Sequence, residues 1–329
     1  MSQTVTMPVR SLPTGKSLER LPVSLFASVM GLSGLALAWR AVQSQFEVGR
    51  LPAAITSWLA IVAFLIMSLG YLAKAVRHPA VVKAEFDHPI VGAFFGTISI
   101  SLLMLSAVVD PYSQALGRAV WVMGCLVTVS LGYFAFGKLL RGGVDASHAV
   151  PAWLIPGVAT LDIAVTGGHM PMAWVGQFVL FATAIGAVLA LVMFTLIGTR
   201  MIQHQPLGPS MTPSLMILIA PFEVGFLAYV NVVGTVDRFA ALLFYFGLFM
   251  FLVVTPKILR PVVRFGSTWW AIGFPVAALV NAALKYAAAY PTLPLRLLAM
   301  SLLSFLTAAL SVLTFRTVKD LCNGRLLSA

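Results

Sequence analysis

Two acids stand where an acid is costly. Asp162 lies in Leu161-Asp162-Ile163 and Glu223 in Phe222-Glu223-Val224, each inside a run of apolar residues. Counted from Pro151 and Pro213, where those runs open, each falls about 15 Å along a helix rising ~1.5 Å per residue. That is near the midplane of a bilayer. A carboxylate at that depth is unfavourable unless protonated, paired or hydrated, so it marks an ion pathway or a proton relay by default. The plain alternative is a protonated acid hydrogen-bonded between helices. A third feature is the stretch Trp269-Trp270-Ala271-Ile272-Gly273-Phe274-Pro275, which opens an apolar run over 268–290. A proline inside a helix removes one backbone hydrogen bond and loosens the turn before it. Phe274 stands just ahead of that flaw, with Ala277, Ala278 and Asn281 at i+3, i+4 and i+7. A ring above a stripe of small side chains can plug a pathway, or it can be a knob packed on a neighbouring helix.

Basic candidates are few. Arg40 closes the first apolar run, and Lys285 falls close to the row of Phe274, Ala278 and Asn281. Each would attract anions at a pore mouth or snorkel to the interface. The five histidines, His78, His88, His148, His169 and His204, all fall in loops or at helix ends. None forms the intramembrane pair that haem or a catalytic metal needs, so no metal and no cofactor is expected. Gly31-Leu32-Ser33-Gly34 has the look of an intramembrane serine nucleophile but lacks an intramembrane histidine, which argues against an enzyme.

The composition fixes the setting. Sixty per cent of the residues are hydrophobic and 9% charged, against about 25% charged in an ordinary soluble domain. Such a chain is a polytopic membrane protein. The first twenty residues hold Arg10, Lys16 and Arg20 but no apolar core of a signal peptide. Cys125 and Cys322 suggest neither a disulfide nor a metal site. The net charge of +11 is spread through short loops and forms no patch for nucleic acid.

Ten apolar segments can be drawn, roughly at 22–39, 53–73, 89–109, 117–137, 151–167, 172–197, 213–234, 238–255, 268–290 and 295–315. With ten crossings, 15 of the 21 Lys and Arg fall on one side, hereafter the basic side, and 6 on the other. The positive-inside rule then puts both termini, residues 1–21 and 318–329, in the cytoplasm of a bacterial inner membrane around a domain at 22–317. Pro22, Pro89, Pro151 and Pro213 each open an odd-numbered segment, at intervals of roughly 60 residues, which reads as repeated helical hairpins. Odd segments also carry the small and hydroxyl residues, among them Ser28, Gly31, Thr97, Ser101, Thr160 and Gly225, and the deeper Pro156, Pro221 and Pro275. Close packing and the lining of a polar conduit both call for such residues. The division by parity predicts an all-α protein with an inner ring of odd helices and an outer ring of even ones.

Trp270, Ala271, Phe274 and Pro275 resemble the Trp-Ala-x-x-Phe-Pro/Gly pattern in the ninth helix of the tellurite-resistance/dicarboxylate transporter family. That family holds bacterial TehA-type proteins and plant slow-type guard-cell anion channels. Further matches are Phe26-Ala27-Ser28-Val29-Met30-Gly31 with Ala38-Trp39-Arg40, Glu85-Phe86-Asp87-His88-Pro89, and Ala220-Pro221 with Gly225-Phe226-Leu227-Ala228-Tyr229. The resemblance covers most of the chain after Leu21. It implies five helical hairpins around a central pore, often as a trimer, passing small inorganic or organic anions. It implies that Phe274 occludes the pore, supported by Trp270, Gly273 and Pro275. The expected lining is Ser28, Gly31, Thr97, Ser101, Thr160, Asp162, Pro221, Glu223, Gly225, Ala278 and Asn281. The two acids depart from the neutral pore expected of the family's anion channels and leave room for proton-coupled transport of a carboxylate.

Overall fold

The computed structural model describes residues 18–46, 48–142, 145–168, 170–260, 262–263 and 265–323. The tail before residue 18, the end beyond 323, and His169 and Arg264 lie outside them. All regular structure among the described residues is helical. Among the described residues, nine helices are long and apolar enough to cross a membrane: α1 (Val23–Phe46), α2 (Leu51–Arg77), α4 (Val91–Val109), α5 (Gln114–Leu140), α7 (Val175–Gln203), α8 (Thr212–Val233), α9 (Arg238–Ile258), α10 (Ser267–Ala289) and α11 (Leu293–Cys322). A tenth apolar helix, α6 (Pro151–Gly167), is shorter. Helices α7 and α11 run further than their apolar cores suggest. Their last turns carry Arg200 and Lys319, cations that suit a helix C-terminus.

A further helix, α3 (Pro79–Asp87), lies between the second and third apolar segments. Nine residues with Lys83, Glu85 and Asp87 among Val81, Val82 and Phe86 give no membrane-length apolar run, so a search for crossings passes over it. It is held by a charge pair whose ammonium is buried and whose carboxylate is partly exposed. Lys74, fully buried near the end of α2, lies 2.6 Å from Glu85 and also donates to the carbonyl of Leu21 at 2.8 Å. The Tyr71 hydroxyl donates to the other Glu85 oxygen at 2.9 Å. An unpaired ammonium in that position would be very costly, so α3 and the start of α1 are fixed together.

Burial separates two sets of helices. In α1, α4, α8 and α10, 61–78% of the most apolar stretch is buried, against 17–33% in α2, α5, α7, α9 and α11. Within Ile155–Gly167 of α6, all but Pro156 and Val165 are buried. The inner helices pack in the cyclic order α1, α4, α6, α8, α10 and back to α1, and each also packs on the helix that follows it on the outer layer. Small residues set the closest crossing. A methyl added to Gly31 would come 3.2 Å from the Gly273 Cα, and one added to Gly34 would come 2.6 Å from the Ala277 Cβ.

Each inner helix begins as a 3-10 turn and only then becomes α-helical. The 3-10 runs are Val23–Leu25, Val91–Phe95, Pro151–Leu154, Thr212–Ile219 and Ser267–Ile272. Proline explains three of the joints. Pro156, Pro221 and Pro275 lie within the first three residues of the α portions that follow. Lacking an N–H, they cannot bond back four residues, and the turn upstream closes by the tighter i to i+3 pattern. The loosened turn expected ahead of Pro275 is therefore this 3-10 run.

Candidate functional site

The inner ring encloses two cavities, and Phe274 lines both. The first, on the basic side, is a small apolar chamber of about 30 Å³. All five inner helices reach it, through Met30, Thr97, Ile155, Ala220 and Trp270. The second is larger, about 340 Å³, and lies on the opposite side of Phe274. Its wall includes Met104, Asp162, Asn231, Ala278, Asn281 and Lys285, again from all five inner helices with Leu37. The Phe274 ring itself is 4% exposed.

Local chemistry holds that ring in place. Phe274 is the second residue of the α portion of α10, one before Pro275, and follows directly on the Gly31–Gly273 crossing. Trp270, one turn earlier, is buried and donates its indole N–H to the Thr317 hydroxyl of α11 at 2.9 Å. The 3-10 segment is thus tied to the outer layer. The stripe of small residues after Phe274 divides: Ala277 packs on Gly34, while Ala278 and Asn281 face the larger cavity. Asn281 donates to the carbonyls of Gly34 at 3.0 Å and Ala277 at 2.8 Å, satisfying a bond that the close crossing leaves within reach.

The two intramembrane acids part company. Asp162 is among the residues that line the larger cavity, with both carboxylate oxygens buried and neither hydrogen-bonded among the described residues. Glu223 lines neither cavity. Its carboxylate is fully buried against Gly247 of α9, with no hydrogen-bond partner among the described residues, so that any side chain at 247 would collide with it. Of the other residues named from the sequence, Thr97 lines the smaller chamber with its hydroxyl turned back to the Phe94 carbonyl at 2.6 Å. Ser28, Ser101 and Thr160 bond to carbonyls of Leu25, Thr97 and Gly157 and line neither cavity. Gly31 and Gly273 serve the helix crossing, and Pro221 and Gly225 also lie off both cavities.

Lys285 and Arg40 have different surroundings. The Lys285 ammonium donates to Asn231 at 2.6 Å inside the larger cavity, where the sequence reading also allowed it to snorkel. Asn231 in turn donates to the carbonyls of Ala164 and Val165, at 3.1 and 2.9 Å, tying α8 to the end of α6. Asn231 was not singled out from sequence. The available signal was its place at i+4 and i+7 from Leu227 and Val224, which share its cavity wall. Arg40 donates to the carbonyls of Ala107 at 2.8 Å and Val108 at 2.5 Å, ending α4 rather than opening on a cavity.

Residues 20–318 match the family described as voltage-dependent anion channel. The chain belongs to this family. It is accordingly a membrane protein of the anion channel and transporter class. It is 24% identical over 272 residues to the tellurite resistance protein TehA homolog of Haemophilus influenzae, covering 81% of each chain. It is 25% identical over 313 residues to the guard cell S-type anion channel SLAC1 of Arabidopsis thaliana, covering 92% of this chain and 56% of the plant protein. An uncharacterized transporter of Methanocaldococcus jannaschii is 25% identical over 285 residues, with 78% of this chain and 82% of that protein covered.

Proposed function

We propose that ten crossings form five hairpins around a central conduit, and that small anions pass along the axis of the inner ring with Phe274 as its gate. The observation that carries this reading is that one aromatic ring borders both axial cavities, so that its displacement would join them. The smaller chamber is bordered by apolar side chains and by Thr97, whose hydroxyl is committed to the backbone. Anions that shed water cheaply are then favoured over strongly hydrated ones, since little in the chamber replaces a lost hydration shell. Lys285 raises the local anion concentration in the larger cavity, and the charge of the loops assigns the basic side to the cytoplasm of an inner membrane. The 3-10 turn at Ser267–Ile272 is the element that would relax as the ring swings aside.

The test is flux from purified protein in liposomes. A passive conduit gives electrogenic anion movement that is indifferent to a pH gradient and follows the ease of dehydration. A second reading, proton-coupled carriage of a carboxylate, is favoured by one observation: Asp162 borders the larger cavity with a buried carboxylate that has no hydrogen-bond partner among the described residues. In that case an imposed proton gradient drives uptake, and Asp162→Asn removes the dependence while leaving a folded protein. Absence of any anion flux from well-folded protein overturns both.

A further inference from the structure

A third cavity lies outside the inner ring, on the basic side, between α4, α5, α6 and the end of α3. It is an apolar cleft of about 130 Å³, walled by Phe86, Gly92, Gly96, Phe134, Trp153 and Pro156. A cleft of that size, bounded by apolar side chains, has room for a length of acyl chain. The cleft opens beside α5, where Phe134 and its neighbour Tyr133 are strongly exposed on an apolar helix face. A membrane-spanning helix turns such a face to lipid.

The mouth of the cleft is polar and rich in donors. His88 accepts from the amides of Ile90 and Val91 through Nδ1, both at 3.1 Å. With Nδ1 taken, the ring N–H is on Nε2. Lys138 donates to the carbonyls of Asp87 at 2.7 Å and Phe86 at 3.4 Å, leaving one ammonium N–H for another acceptor. Trp153 donates to the Pro89 carbonyl at 2.9 Å, an indole placed between apolar wall and polar rim as at a membrane interface.

We propose that this cleft is a binding site for an anionic phospholipid of the leaflet on the basic side, with one acyl chain in the cleft and the headgroup phosphate held by Lys138 and His88. The back wall gives the site a consequence. Gly96 and Pro156 belong to the 3-10/α joints of α4 and α6, and the same joints turn Phe94, Thr97 and Ile155 into the axial chamber beneath Phe274. The two joints touch: a methyl on Gly96 would come 2.8 Å from Ile155 Cγ2. A chain wedged against the outer side of the joints bears on the chamber wall, and lipid occupancy biases the conduit. That consequence rests on the axial-conduit reading, whereas the binding itself does not.

Two variants separate the cases. Ala135→Phe fills the cleft from a partly exposed position on α5, and Lys138→Gln removes one donor at the exposed rim. Retention of phosphatidylglycerol by detergent-purified protein, read by native mass spectrometry, should be selective over phosphatidylcholine. It should be lost in A135F and weakened about fivefold in K138Q, the factor that one basic residue contributes at an anionic surface. In vesicles, added phosphatidylglycerol should alter the anion flux of the natural chain and leave A135F unaffected. Equal retention by all three proteins overturns the site. A change of oligomer size in A135F without loss of lipid overturns it in favour of a second copy of the chain. Selective retention with no lipid effect on flux overturns the coupling to the conduit.

Discussion

Truncating Phe274 to alanine should join the two axial cavities and raise anion flux by at least about tenfold. The ring borders about 30 Å³ on one side and about 340 Å³ on the other, so its removal leaves no other shared side chain between them. A tenfold rise corresponds to ~1.4 kcal/mol off the barrier to passage, a small part of what a closed aromatic constriction imposes. Stability separates this outcome from simple packing damage. A phenylalanine packed on all sides loses about 3–5 kcal/mol on truncation to alanine. Phe274 borders a cavity on each of two sides, with fewer packed neighbours than a ring enclosed all round, so the loss should fall below that range and the variant should express. The assay is chloride or nitrate efflux from liposomes beside thermal unfolding of the same preparation, with Phe274→Leu as an intermediate. Folded F274A with unchanged flux would refute the gate. So would a loss of several kcal/mol with no gain in flux, because the ring would then be a knob.

Gly34→Ala places a methyl 2.6 Å from the Ala277 Cβ and should cost about 1–3 kcal/mol as overpacking. Adding Ala277→Gly should restore most of it in thermal unfolding; no rescue would mean that the α1–α10 crossing is not what limits stability. Gly247→Ala collides with the Glu223 carboxylate and should destabilise the protein, with Glu223→Ala rescuing the pair. Glu223→Gln alone should leave flux and its pH dependence unchanged, and a changed dependence would return that acid to the pathway. Lys285→Gln should lower flux at low anion concentration by about fivefold, matching ~1 kcal/mol for one charge near solvent, with the difference fading in high salt. A salt-independent loss would point instead to damage at the Asn231 bond. Single cysteines between α5 and α6 and between α9 and α10 should be labelled from the cytoplasmic side and one between α4 and α5 from outside, in a background lacking the exposed Cys322. Reversal at any of these overturns the orientation.

Sequence alone determined what depends on amount and order. An apolar excess of this size cannot be hidden in water, and the apolar runs read directly as helices, nine of them of crossing length among the described residues, because lipid obliges a chain to satisfy its backbone internally. The spacing of Pro151 and Pro213 and the concentration of small residues in alternate runs marked which helices would be inner. The Trp270–Pro275 pattern carried the family. What sequence could not determine was direction around each helix. Asp162 and Glu223 lie at similar depths on inner helices and looked equivalent, yet one stands in the cavity wall and the other packs on Gly247 of α9. Ala277 and Ala278 are adjacent and of one type, yet one sits in the α1 crossing and the other on the larger cavity. Lys285 met Asn231, and Lys74 met Glu85 on a short helix that apolar length could not reveal. An inner helix is buried on nearly every side, so hydrophobic periodicity carries no azimuth there. Only the neighbours, brought together by the whole ring, decide which face of each helix turns to the axis.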